Sequence, residues 1–242
     1  MANKDTSRLG YWSGGLVVIW VALFGLSMIL GLLGRSSGQL PFLAGFLLAP
    51  SFIGMMAAIH QQAPAPKRIW SLLGMAFAVV YAVLVDIVYY VQLTVTKIGV
   101  GGPLNAVPGV TAAPAAGASS AIGLQQFIYT PGTAIFALDM LGYACMCLAT
   151  WAAAYSFTGR DNVSTWIRRL FIIHGVLVFP TILAPVLMAG TGANGTTISG
   201  VTTSGAGDKL GYVVLLFWCA IFIPLTLTVM RYFRLKMKAP SK

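Results

Sequence analysis

The chain has 242 residues, of which 58% are hydrophobic and only 8% charged, with a mean hydropathy of +0.85. Soluble domains carry charge on about a quarter of their residues, so this composition excludes an ordinary soluble domain and points to a membrane protein. A net charge of +10 would suggest nucleic acid for a soluble chain, but the placement of the charges along the elements excludes that partner.

Six stretches with few or no charges are long enough to cross a bilayer, which takes roughly 20 apolar residues: 11–34, 40–61, 69–96, 133–157, 170–189 and 210–230. The expected fold is all-α, a single integral membrane domain over 1–242 with both termini cytoplasmic. Lys4 and Arg8 precede the first stretch as they would in a signal peptide. That stretch is too long for one, however, and no small-x-small cleavage site follows closely, so it reads as a retained helix. Within it Ser27 and Gly31 form a small-xxx-small pair that suits close helix approach. The second stretch contains Pro50 and Gly54 and ends near His60. The inner connections 62–68 and 158–166 are short, which makes helices two and three, and four and five, antiparallel neighbours.

With the N-terminus inside, Lys4, Arg8, Lys67, Arg68, Arg160, Arg168, Arg169, Arg231, Arg234, Lys236, Lys238 and Lys242 fall on the inner side. Arg35, Lys97 and Lys209 fall outside. This bias follows the positive-inside rule. It assigns the cations to orientation and to anionic lipid headgroups rather than to nucleic acid. The expected location is a cell membrane, multi-pass, in a prokaryotic inner membrane.

The third stretch holds Asp86 inside an apolar run, and the fourth holds Asp139. On a helical wheel at about 100° per residue, Asp86 shares a face with Val79, Ala82, Tyr89, Tyr90 and Leu93. Asp139 shares one with Gly142, Tyr143, Met146, Thr150 and Ala153. Gly142 and Ala153 imply that the Asp139 face packs on protein. The sequences DIVYY and DMLGY each set a Tyr four residues after the Asp, one turn away on the same face. The two helices run in opposite directions, and both acids fall in the outer half of the membrane. If the faces meet, Asp86, Asp139, Tyr89, Tyr90, Tyr143 and Gln92 form a proton- or ion-binding site. Two carboxylates close together in low dielectric cannot both stay ionised cheaply, so the pair would share a proton or hold a cation. An ionisable residue in a membrane span is by default a functional-site hypothesis. The bland alternative is a helix–helix hydrogen bond.

Two outer loops, 98–132 and 190–208, follow the third and fifth stretches and carry no charge over 98–132 and 190–207. The first is mostly apolar, which raises the expectation of a lid over an outward-facing cavity; the alternative is an Ala/Gly/Pro linker. In the fifth stretch Pro180 and Pro185, and in the sixth Pro224, interrupt backbone bonding. His174, with His60, offers a candidate bis-His haem pair, or a relay carrying protons inward from the acids. The bland reading makes both structural. Cys145, Cys147 and Cys219 form no CxxC pair and read as packing residues. There is no Glu in the chain, no HExxH, no GxSxG and no P-loop, so no catalytic motif and no metal site is expected.

The leading expectation is therefore proton-coupled transport or binding of a small solute or ion through Asp86 and Asp139. Two other classes stand beside it: a non-catalytic subunit packed in a larger membrane complex, and the bis-His haem redox protein. A homo-oligomer fits the small number of helices.

Overall fold

A computed structural model describes residues 4–99, 127, 129, 133–159, 161–189 and 206–238. Among these all regular structure is helical, and six helices are long and apolar enough to cross a membrane. Helix α1 (Lys4–Leu32) ends in a glycine turn. Gly34 and Gly38 have φ of 68° and 57°, a left-handed backbone that favours glycine. Arg35 N–H reaches back to Leu30 O and Gly34 N–H to Gly31 O, the paired bonds of a Schellman cap. Helix α2 (Leu40–Gln62) opens with Pro41 in its first turn, where a missing N–H costs nothing. An extended Ala63 and a short 3-10 turn at Ala65–Lys67 then lead into α3 (Arg68–Gly99).

Helix α4 (Ala134–Ala154) is capped by Thr133, whose Oγ1 accepts from Phe136 N–H. The fifth span differs from the expected 170–189. It begins earlier, as α5 (Asn162–Val176), and restarts after Leu177 as α6 (Val178–Ala189). The cause is local: Pro180 has no N–H for the Val176 carbonyl, so the ladder loses a rung there. Leu177 N–H bonds His174 O instead. By contrast Pro50 and Pro224 sit inside α2 and α7 (Ala206–Lys238), which run unbroken.

The helices close into a ring. Neighbours pack in the order α1, α2, α3, α4, α5, α7 and back to α1, with α6 against α4. Lipid tails are as apolar as leucine, so association between spans depends on close packing and small residues. A Cβ at Gly74 would fall 2.7 Å from Ala149 O, and one at Gly142 would fall 2.6 Å from Val85 Cγ2. Helices α3 and α4 are therefore in near backbone contact. Phe52, Tyr81, Met146, Phe171 and Phe222 are buried in the middle, while Ile19, Val83 and Phe217 are exposed on the outside, as lipid-facing residues are.

This alternation gives the bundle two unlike ends. One, here the basic end, carries Arg8, Arg68, Arg169, Arg234 and Lys236. The other carries the 33–39 turn, with Arg35, and the start of α4. Of the expected outer loops, residues 100–126, 128, 130–132 and 190–205 lie outside the described residues, and with them the expected lid; 98–99 belong to α3 and 206–208 to α7.

Candidate functional site: a buried acid among phenols

The Thr133 cap fixes the start of α4, and Asp139 follows in its second turn with its side chain wholly buried. Its helix face is protein-facing throughout: Gly142, Tyr143, Met146, Thr150 and Ala153 are all buried. Tyr129 O–H donates to Asp139 Oδ2 at 2.5 Å. Asp139 Oδ1 is buried and has no hydrogen-bond partner among the described residues. From α3, Tyr89 reaches across and its hydroxyl shares a 2.9 Å bond with that of Tyr143; it also lies toward the Asp139 carboxyl. Tyr89 can enter because position 45 of α2 is glycine, where any Cβ would overlap its ring.

Beside the carboxyl lies a cavity of about 280 Å³ at the turn end, bordered by Asp139 with Tyr89, Tyr129 and Tyr143. Phe42 from α2 packs on the rings of Tyr89 and Tyr129, with centroids 6.0 and 5.9 Å away. Met28 and Phe24 of α1, Tyr212 and Leu215 of α7, Met140 of α4, and Ser37, Gly38 and Pro41 around the turn complete the wall.

The structure gathers the expected site residues only in part. Asp139, Tyr89 and Tyr143 are together. Gln92 is buried one turn beyond Tyr89 and donates to Phe127 O at 2.8 Å. Asp86 is half-buried and makes no hydrogen bond to Asp139; its Oδ1 has no partner among the described residues. Tyr90 is 60% exposed, so the DIVYY and DMLGY repeats do not play the same part. The helical wheel explains this. The buried stripe of α3 runs through Ala78, Tyr81, Val85, Val88 and Gln92, roughly 120° round from Asp86 and about 160° from Tyr90.

Two phenols were not anticipated. Tyr129 lies in a loop with no periodicity to read, and its only signal is being a lone polar aromatic ahead of Asp139. Tyr81 is fully buried, and its hydroxyl has no partner among the described residues. It lies within electrostatic reach of both Asp139 and Asp86.

The histidines are placed apart from this site. His174 is fully buried, with Nδ1 2.8 Å from Thr150 Oγ1 and Nε2 accepting from Trp218 Nε1–H at 3.0 Å. Its ring packs on Phe222. His60 Nδ1 lies 3.0 Å from Ser71 Oγ near the basic end. Haem ligation needs a ring-nitrogen lone pair directed at iron. At His174, Nε2 gives its lone pair to Trp218, and Thr150 holds Nδ1. The bis-His expectation thus finds no support in the geometry, nor does a relay from Asp139 through a histidine whose nitrogens are both engaged. Cys145, Cys147 and Cys219 are free and buried. No cluster of three metal-ligating side chains occurs among the described residues.

Six apolar helices in a ring, with a carboxyl and phenols buried between them, are those of a multi-pass helical membrane protein, with a pocket beside the acid at the turn end of the bundle. Comparison of the chain with protein families, with curated proteins and with solved structures found no match.

Proposed function

We propose that this chain is a cell-membrane protein that binds and moves a small solute or ion, with Asp139 as the group that holds a proton or the cargo's charge. The observation that carries this is the pairing of a fully buried carboxyl, one of whose oxygens is unpartnered among the described residues, with a cavity at the same spot. An unneutralised carboxylate in such a place costs several kcal/mol, so it holds either a proton or a cation. Exchanging one for the other is the elementary step of proton-coupled transport. Asp86, half-buried on α3, is the second acid, and Tyr81, whose hydroxyl has no hydrogen-bond partner among the described residues, lies within electrostatic reach of both. The basic residues gathered at one end support a topology with both termini in the cytoplasm.

The test is a panel of small cationic, neutral and anionic solutes screened for thermal stabilisation of the purified chain, at acid and alkaline pH. At least one solute is expected to stabilise the wild type in a pH-dependent way, and Asp139→Asn to abolish that dependence. If Asp139→Asn folds and keeps the same pH-dependent response, the acid is structural and the proposal fails.

A further inference from the structure

The walls of the cavity say more than its acid does. Around the cavity that Asp139 borders stand Phe42, Tyr89, Tyr129, Tyr143 and Tyr212; the rest of its lining is mostly hydrocarbon, with Ser37 and Gly38 from the turn. Aromatic faces carry negative potential and attract cations, most strongly where water is excluded. An anion would meet both this potential and the carboxylate. Magnesium and calcium want a shell of six or more oxygens, and zinc wants about four nitrogen, sulfur or carboxylate donors. The described pocket offers one carboxyl and a few phenols, and no metal-ligating cluster. At about 280 Å³ the space also far exceeds a bare ion. A cation that fills it must bring its own carbon.

We infer that the pocket takes a compact organic ammonium ion, its charge paired with Asp139 Oδ1 and its carbons lying on Phe42 and the tyrosine rings. This rests on the preceding proposal and narrows its cargo to one chemical class. It also assigns separate parts to the residues. Asp139, on the cavity wall, supplies the counter-charge, and Tyr129 holds its other carboxyl oxygen, leaving Oδ1 without a hydrogen bond among the described residues. Phe42 contributes a ring and no hydrogen bond.

The test compares two probes of nearly the same shape, choline and its uncharged carbon isostere dimethylbutanol, on the full chain in mild detergent. Binding is followed by isothermal titration calorimetry. Choline is expected to bind at least tenfold more tightly than dimethylbutanol. Asp139→Asn should remove that preference. Phe42→Leu leaves the carboxyl and its bonds in place, so it should weaken choline about fivefold, the worth of one cation–π contact, and leave dimethylbutanol nearly unchanged. Equal binding of the two probes by the wild type overturns the ammonium assignment, as does loss of both probes in equal measure in Phe42→Leu. If dimethylbutanol binds as well as choline and Asp139→Asn disturbs both, the site stands while the cation class falls. If neither probe binds, the assignment fails, and the solute panel alone then decides whether the site binds anything.

Discussion

A buried histidine with both nitrogens engaged has one self-consistent arrangement of protons. Trp218 can only donate, so His174 Nε2 accepts and carries no hydrogen. The neutral ring then holds its proton on Nδ1, which donates to Thr150 Oγ1. Thr150 in turn donates to Cys147 O at 2.9 Å. Three helices are tied by a chain in which every polar atom is used. Thr150→Val is therefore expected to strand the Nδ1 proton in a buried place and cost about 1–3 kcal/mol, whereas Thr150→Ser restores the acceptor and recovers most of it. Detergent-denaturation midpoints of the two variants check this; a loss in Thr150→Ser with none in Thr150→Val would mean that the methyl group, not the hydroxyl, matters. Before the fold was known, His174 could be marked as a buried titratable group, but its partners on α4 and α7 lie 24 and 44 residues away. No local pattern links such positions. Asp139 was more legible because Gly142 and Ala153 on its own helix signalled a protein-facing stripe. Asp86 and Tyr90 misled for the matching reason: a wheel centred on the acid does not reveal where the core lies.

At the scale of elements, six apolar stretches and their order were legible, because a bilayer imposes a length that composition alone satisfies, but not all their ends: α1 begins at Lys4 and α7 runs to Lys238. Nor was the start of the fifth, since its first turns carry Arg168 and Arg169 and look like a loop. What starts that helix is a cap: Asp161 accepts from Ser164 N–H at 2.9 Å. The backbone bond from Ser164 holds the Asp161 carboxyl below its ordinary value of 3.8. The negative charge also faces the positive end of the helix dipole. A carboxyl held low in the folded state contributes its stability fully above the ordinary value and loses it as pH falls through the folded one. Asp161→Ala is thus expected to destabilise the protein by about 1 kcal/mol near neutral pH, and by progressively less below pH 4. Asp161→Ser should keep most of the cap and show no such pH dependence. Denaturation midpoints measured across that range test the sign, and a loss that persists unchanged in acid would mean that packing rather than charge is involved.

At the scale of the whole molecule, the closure of the ring decides where the pocket lies. The contact of α1 with α7 joins elements far apart in sequence and brings Tyr212 beside Gly31 and Met28 beside Leu215. Counting spans could not reveal this, because the same six helices would also fit an open row, which would leave the Asp139 pocket without its α1 and α7 walls. The ring also makes sidedness testable. The pocket borders the 33–39 turn, whereas Lys67, Arg68, Arg234 and Lys236 ring the opposite end. On the proposed topology, with that basic end in the cytoplasm, the pocket would face outward. The three native cysteines are buried, which leaves introduced ones as clean reporters. Ser36→Cys lies in the exposed turn and Ala65→Cys in the exposed basic-end connection. In intact cells producing the protein, a membrane-impermeant thiol reagent is expected to label Ser36→Cys, and Ala65→Cys only after the cells are opened. The reverse pattern would invert the protein in the membrane and turn the pocket toward the cytoplasm. Its cargo would then be captured from inside, and a proton gradient directed inward would drive export at Asp139 rather than uptake.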